Sequence, residues 1–296
     1  MQRVGFIGLG AMGTPMAWNL HKAGCLAGVY NRTTAAAQPF REVGIAHHAT
    51  PAALAAQADV VIIMVADPAA LHEVMSSRDG VAAGLRPGGY VINMSTVSPE
   101  ATRQAAAAVT ARGGRFVDAP VSGTVKPAQD GTLVILAGGE RTDIEDVTPI
   151  LKTLGKEVIY CGPTGQGTHM KLVLNLLLGG MMALLAEAIT LGRQLGLETE
   201  DILKAIASGP LNAPLYQLKG MMMLEGRYAR QFPIDLMFKD LSLVLETAGH
   251  ARVPLPATAA VREAFNAARG IGQGDSDIAA VILALEYITG EPERES

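Results

Sequence analysis

The stretch from Arg3 to Gly13 limits what this chain can fold into more than any other. It sets an apolar run, Arg3 to Ile7, a turn Gly8-Leu9-Gly10-Ala11-Met12-Gly13 and a helix-like segment, Thr14 to Ala23, in direct succession. Each glycine of a G-x-G-x-x-G spacing has a mechanical task. Gly8 permits a tight turn, Gly10 lets the backbone approach a pyrophosphate, and Gly13 lets helix pack closely on strand. The helix N-terminus then faces the phosphates. Strand, glycine turn and helix in this order predict the first unit of a Rossmann-like, doubly wound α/β sheet that binds a dinucleotide, against the plainer reading of a glycine turn that binds nothing.

The same alternation continues. Leu26 to Tyr30 reads as a second strand and ends in Asn31-Arg32-Thr33, where a NAD site normally presents an acidic residue to the ribose 2′-hydroxyl. No acidic residue stands there. Asn31 and Arg32 offer donors instead, and guanidinium pairs with phosphate by charge-assisted hydrogen bonds, which favours NADP. The alternative for Arg32 is an exposed arginine at a strand end. Asp59 to Val65 and Tyr90 to Met94 contain apolar runs suited to central parallel strands, and Asp67-Pro68 and Ser98-Pro99 open the helices that follow. Ser95 and Thr96 therefore fall at the carboxyl edge of the sheet, where such folds bind ligands, against the plainer reading of simple capping. Arg115 to Asp118 is a further strand, and Ala119 to Thr124 leaves it as a small-residue loop suited to a carboxylate. Thr132 to Ala137 and Glu157 to Cys161 complete the sheet, with a helix around Asp143 to Leu154. The first domain spans 1–163 and the second 164–296.

The second domain opens on Gly165-Gln166-Gly167-Thr168-His169-Met170-Lys171-Leu172-Val173-Leu174-Asn175. Lys171 and Asn175 are four residues apart, so on a helix they share a face. From Leu172 to Ala186 the only strongly polar side chain is Asn175, which predicts a helix buried on most sides. A lysine there either snorkels to solvent or is desolvated, and desolvation lowers a lysine pKa toward the range useful for proton transfer. Thr199 to Ala207, Ala213 to Glu225, Asp235 to Ala248, Pro256 to Ala268 and Asp275 to Ile288 are helical by period. The second domain is thus all-α and joined through a long helix. Its apolar faces, including Met221-Met222-Met223, point to a homodimer or homotetramer interface or to core packing within one chain. Thr289 to Ser296 reads as a frayed tail.

With 49% hydrophobic and 18% charged residues, 296 residues suffice for two globular domains. A net charge of −4, with cations scattered, argues against nucleic-acid binding. The apolar run interrupted by Asn175 falls short of a membrane span. The N-terminus lacks a signal-peptide pattern, and two cysteines, Cys25 and Cys161, suit a reducing compartment, so a cytoplasmic protein is expected. Six histidines show no zinc-like spacing, and no metal is expected.

With Gly8-x-Gly10-x-Met12-Gly13, Asp118-Ala119-Pro120-Val121-Ser122-Gly123, Gly165-x-Gly167-x-x-x-Lys171-x-x-x-Asn175 and Lys239-Asp240 in this order, the chain resembles the β-hydroxyacid dehydrogenase family over nearly its whole length. Asn31-Arg32-Thr33, Lys126 to Gly131 and Phe232-Pro233 are most similar to its glyoxylate/succinic semialdehyde reductase branch. The resemblance implies NADPH-dependent reduction of small aldehyde acids, with Lys171 as general acid. It implies that Thr96, Ser122 and Gly123 bind the substrate carboxylate, that Asn175 orients substrate, that Phe232 walls the pocket, and that Asp240 supports the polar network. Cofactor contacts are implied at Gly8, Leu9, Gly10, Ala11, Met12, Gly13, Asn31, Arg32, Thr33, Met64, Val65, Thr96 and Lys239. The branch often carries a lysine where this chain has Ala36, so NAD is expected to bind with lower affinity. The segment Ala213 to Tyr216 also departs from the branch, which bears on substrate size. Competing readings are a 3-hydroxyisobutyrate- or tartronate-semialdehyde-type dehydrogenase, an imine reductase, and a catalytically silent dinucleotide-binding scaffold. Lys171 argues for carbonyl over imine chemistry, and Lys171, Asn175 and the loop donors together argue for an enzyme.

Overall fold

The structure, a computed structural model, describes residues 2–290. The chain divides into two compact units between Lys171 and Leu172. In the first, strands β1 (Val4–Ile7), β2 (Leu26–Tyr30), β3 (Ala46–His47), β4 (Val60–Ile63), β5 (Tyr90–Asn93), β6 (Arg115–Asp118), β7 (Val121–Ser122), β8 (Leu133–Gly138) and β9 (Gly155–Gly162) form one sheet. Their order is β3-β2-β1-β4-β5-β6-β8-β7, with β9 paired to β8. β1 lies parallel between β2 and β4, so the winding direction reverses at its carboxyl end, where the glycine turn leaves. β6 and β8 run antiparallel and meet at Asp118 and Gly138.

Helices α1 (Gly13–Lys22), α2 (Gln38–Glu42), α3 (Pro51–Ala55), α4 (Pro68–Ser76), α5 (Val81–Gly84), α6 (Pro99–Thr110), α7 (Val125–Asp130) and α8 (Arg141–Leu151) connect the strands. All four residues of β4 are buried because the sheet is packed on both faces. Val60 and Ile62 join a core with Phe6, Met16 and Leu20, whereas Val61 and Ile63 join a separate one with Ile7, Leu54 and Leu71. Thr50, Asp67 and Ser98 each cap a helix whose next residue is proline. The segment after Asp118, read from the sequence as loop alone, contains β7, a two-residue strand made by pairing to β8.

α9 (Gln166–Gln194) starts in the first unit and continues through the second, which adds α10 (Thr199–Ser208), α11 (Pro214–Glu225), α12 (Ile234–Ala251), α13 (Pro256–Gly270), a 3₁₀ turn (Ile278–Val281) and α14 (Ile282–Thr289). The segment expected as one helix from Asp275 is thus a 3₁₀ turn followed by α14. Residues 291–296 of the expected tail lie outside the described residues. Met182, Ile189, Met223, Met237, Leu241 and Phe265 form the core of this unit. Met223 is therefore core, Met222 packs against it, and Met221 is exposed.

The expectation that α9 is buried on most sides is corrected. Val173, Leu177, Leu184 and Leu191 are each more than half exposed in the single chain, because the core packs on only one face of the helix. By length and composition α9 could cross a membrane, and 44% of its most apolar window is buried in the fold.

Candidate active site

The glycine turn shows which of its residues the fold itself requires. Gly8 has φ +97°, and a Cβ there would lie 2.1 Å from the Met64 carbonyl oxygen. A Cβ on Gly13 would lie 1.9 Å from the Gly8 carbonyl oxygen, so turn and helix need both glycines. Around Gly10 nothing lies within 4 Å of the same position. Its bare backbone therefore faces open space, as the approach of a pyrophosphate demands. α1 has no side-chain cap and no acidic residue in its first turn, which leaves its N-terminal partial charge for an anion. A cavity of about 500 Å³ opens from the turn; Ile7, Gly8, Gly10, Asn31, Arg32, Thr33, Met64, Val65 and Asp67 are among its lining residues. This cradle fits a dinucleotide.

Asn31 has a task the sequence did not reveal. Its Oδ1 accepts the Leu9 N–H at 2.8 Å and its Nδ2 donates to the Thr33 carbonyl at 2.9 Å, so its amide ties the end of β2 to the glycine turn. Arg32, next to it, is exposed and is the one lysine or arginine among the described residues lining the cavity. Ala36 packs against the core, away from such a role.

At the carboxyl edge of β4 and β5, Ser95 is buried and structural, its hydroxyl accepting the Val65 N–H at 2.8 Å. Thr96 beside it is half-buried, as is Ser122, and Gly123 is exposed with φ +138°. A Cβ at Gly123 would lie 2.8 Å from Leu133 Cδ2, so the bend after Ser122 depends on glycine.

Lys171 is 7% exposed and Asn175 1% exposed, one turn apart on one buried face of α9. The snorkelling alternative for Lys171 does not describe this burial. In the second unit Asn175 Nδ2 donates to Asp240 Oδ2 at 2.6 Å, and Asp240 Oδ1 lies 3.0 Å from Lys239 Nζ. This second contact lacks hydrogen-bond alignment. Asp240 thus joins Asn175 and Lys239. Phe232 is half-buried beside the core of that unit, at the turn before α12. Among the described residues no group of three or more His, Cys, Asp or Glu is placed to hold a metal ion.

Asp118 belongs to a recognised motif, yet the sequence assigns it no task. It is fully buried and accepts the Gly165 and Thr168 N–H groups at the start of α9, each at 2.7 Å. Burial pushes its carboxyl up to about 6, although those backbone donors pull the other way. Its charge adds to the burial that raises the Cys161 thiol. No local cap pattern reports this bond, because the partners are 47 and 50 residues apart.

Residues 3–162 match the family described as the NAD binding domain of 6-phosphogluconate dehydrogenase, and residues 165–285 match the NAD-binding family of NADP-dependent 3-hydroxyisobutyrate dehydrogenase. The chain belongs to the β-hydroxyacid dehydrogenase family and is an NAD(P)-dependent oxidoreductase acting on CH–OH or aldehyde groups. Within that family it is 38% identical over 284 residues to glyoxylate/succinic semialdehyde reductase 1 of Arabidopsis thaliana, covering 96% of this chain and 98% of that one. It is 37% identical over 283 residues to the chloroplastic reductase 2 of the same plant, covering 96% and 79%. The Mycobacterium tuberculosis 3-hydroxyisobutyrate dehydrogenase, solved with L-serine, aligns with a TM-score of 0.88 at 28% identity, covering 96% of this chain and 99% of that one.

Proposed function

We propose that the chain reduces small aldehyde acids, glyoxylate and succinic semialdehyde, with NADPH. The observation that carries this reading is the buried Lys171, one turn from an Asn175 that Asp240 holds in place. When bound, the reduced nicotinamide supplies hydride to the carbonyl carbon. Lys171 protonates the oxygen as its charge develops, and Asn175 orients it. Thr96, Ser122 and the Gly123 backbone hold the substrate carboxylate, and Phe232 limits its size. Lys171→Ala lowers kcat by about 10²–10⁴-fold while NADPH binding changes little. Near-wild-type single-turnover chemistry in the folded variant would remove the general-acid assignment.

For the cofactor, Arg32 is the group we assign to the 2′-phosphate. Arg32→Ala weakens NADPH about ten- to a hundredfold and NADH hardly at all. Equal losses for both would make Arg32 structural. The likeness to a dehydrogenase solved with L-serine, itself a 3-hydroxy acid, supports a second substrate class, the semialdehydes of 3-hydroxy acids. A panel of glyoxylate, succinic semialdehyde, tartronate semialdehyde, methylmalonate semialdehyde (the aldehyde whose reduction gives 3-hydroxyisobutyrate) and a cyclic imine, followed by NADPH absorbance, separates the classes. Activity confined to the imine would overturn both carbonyl readings. The exposed apolar stripe of α9 supports a homodimer or homotetramer, and a monomer by light scattering would refute it.

A further inference from the structure

Asp118 closes β6 with no exposed surface, and its two carboxylate oxygens are divided between the ends of one helical turn. Oδ1 accepts the Gly165 N–H, and Oδ2 accepts the Thr168 N–H and, at 3.1 Å, the Thr168 hydroxyl. That hydroxyl lies 3.0 Å from Thr102 Oγ1 on α6, so when Thr168 donates to Asp118 it accepts from Thr102. The orphan N–H groups with which every helix begins are here met by a carboxylate from the middle of the sheet.

The approach is as close as backbone allows. A Cβ on Gly167 would lie 2.2 Å from the Leu136 carbonyl oxygen and 2.7 Å from that of Asp118. A Cβ on Gly138 would lie 2.7 Å from Asp118 Oδ1 and 2.7 Å from the Gly167 nitrogen. The first turn of α9 is therefore pressed directly onto the ends of β6 and β8. Lys171 follows Thr168 by three residues, on the same side of the helix.

We propose that Asp118 is a positioning residue for Lys171: its carboxylate clamps the first turn of α9 and so sets the height and rotation at which the lysine is presented. The assignment rests on Lys171 being the proton donor. All the polar partners of the carboxylate are donors, apart from the hydroxyl that can also accept. An amide would therefore turn a hydrogen toward one of the two backbone N–H groups and lose that bond. Burial of the carboxylate, which holds its pKa near 6, is a cost tolerated at this position and so agrees with a specific task for it.

The test compares Asp118→Asn, Lys171→Ala and the wild type in three measurements: hydrogen exchange of the peptide covering residues 163–172, NADPH affinity, and the single-turnover rate with the best substrate of the panel. In Asp118→Asn, exchange in that peptide rises about tenfold or more while β1 and α1 are unchanged, and the rate falls about 10- to 100-fold, the cost of a displacement near 1 Å. NADPH affinity stays within about twofold, because the cavity at the glycine turn is built from residues 7–79. A normal rate with faster exchange would make the clamp purely structural, and unchanged exchange would mean there is no clamp. If Lys171→Ala slows the reaction and Asp118→Asn does not, positioning fails while the general acid stands. If Lys171→Ala reacts normally, both fall. Should Asp118→Asn not fold, Thr168→Val removes one bond of the clamp and gives the same pattern at about 2- to 10-fold, and its absence there overturns the proposal.

Discussion

Asp118 in the first unit and Asp277 in the second are both wholly buried carboxylates, and each sits behind a residue assigned to the site. Asp118 is met by two backbone N–H groups and a hydroxyl, none charged. Asp277 is met by the Lys219 ammonium at 2.7 Å and by the Phe232 and Ala279 N–H groups at 3.0 and 3.1 Å. Lys219 is itself fully buried and also reaches Gln231 at 3.2 Å. One carboxylate anchors the helical turn before Lys171; the other anchors the corner carrying Phe232, reinforced by the bridge from Pro233 to Asp277. The contrast is in what each loses when a partner goes. Neutral donors left unpaired cost their desolvation, whereas a removed counter-charge leaves an uncompensated ion in the core.

The largest effect therefore belongs to the second unit. Lys219→Met costs about 3–5 kcal/mol, read as the denaturant midpoint of that unit, and adding Asp277→Asn restores a substantial part by removing the stranded charge. A loss under about 1 kcal/mol would erase the distinction between the two regions.

Next in size is the pH response of Asp118. With its carboxyl pushed up to about 6 from an ordinary 3.8, the folded chain holds this proton more readily than the unfolded chain. The unfolded state thus binds fewer protons between about 4 and 6, and stability from this group is fully present below about 4 and lost as pH rises through about 6. Two pH units correspond to roughly 3 kcal/mol. Asp118→Asn should flatten this component of the stability curve between pH 4 and 7. Identical curves for variant and wild type would show that Asp118 titrates like any exposed carboxylate.

What the sequence discloses follows the range of the interactions. The glycine turn is legible because strand, turn and helix are contiguous, and β4 and β5 because a strand covered on both faces is apolar throughout. Lys171 and Asn175 are legible as a pair because helical spacing alone joins them. β3 and β7 are not, since each is two residues long and exists only through its neighbour in the sheet. Asn31 reads as a donor in sequence, but that its Oδ1 accepts the Leu9 N–H, 22 residues earlier, while its Nδ2 donates to the Thr33 carbonyl, is not legible there. The burial of α9 is misread for a related reason: composition reports that all its faces are apolar, and only packing decides which one is covered.

The smallest effect sharpens the contrast by its opposite sign. Asp59 is held down to about 2, first by the hydrogen bond from the Arg3 side chain and then by the Arg3 N–H, with Arg86 beside it. Because its folded pKa lies below 3.8, its contribution is present above about 4 and lost as pH falls through about 2, the reverse of Asp118. Yet this carboxylate is 36% exposed and its arginine partners 49% and 44%, so solvent screens the cluster. Asp59→Asn is then worth under about 1 kcal/mol at pH 7, and most of that disappears in about 0.5 M salt. The contribution of Asp118, whose partners are buried and neutral, does not respond to salt in this way. Denaturation of both variants at low and high salt checks the pair. A salt-independent loss near 3 kcal/mol from Asp59→Asn would place the surface cluster energetically with the buried carboxylates, and burial would no longer be what separates them.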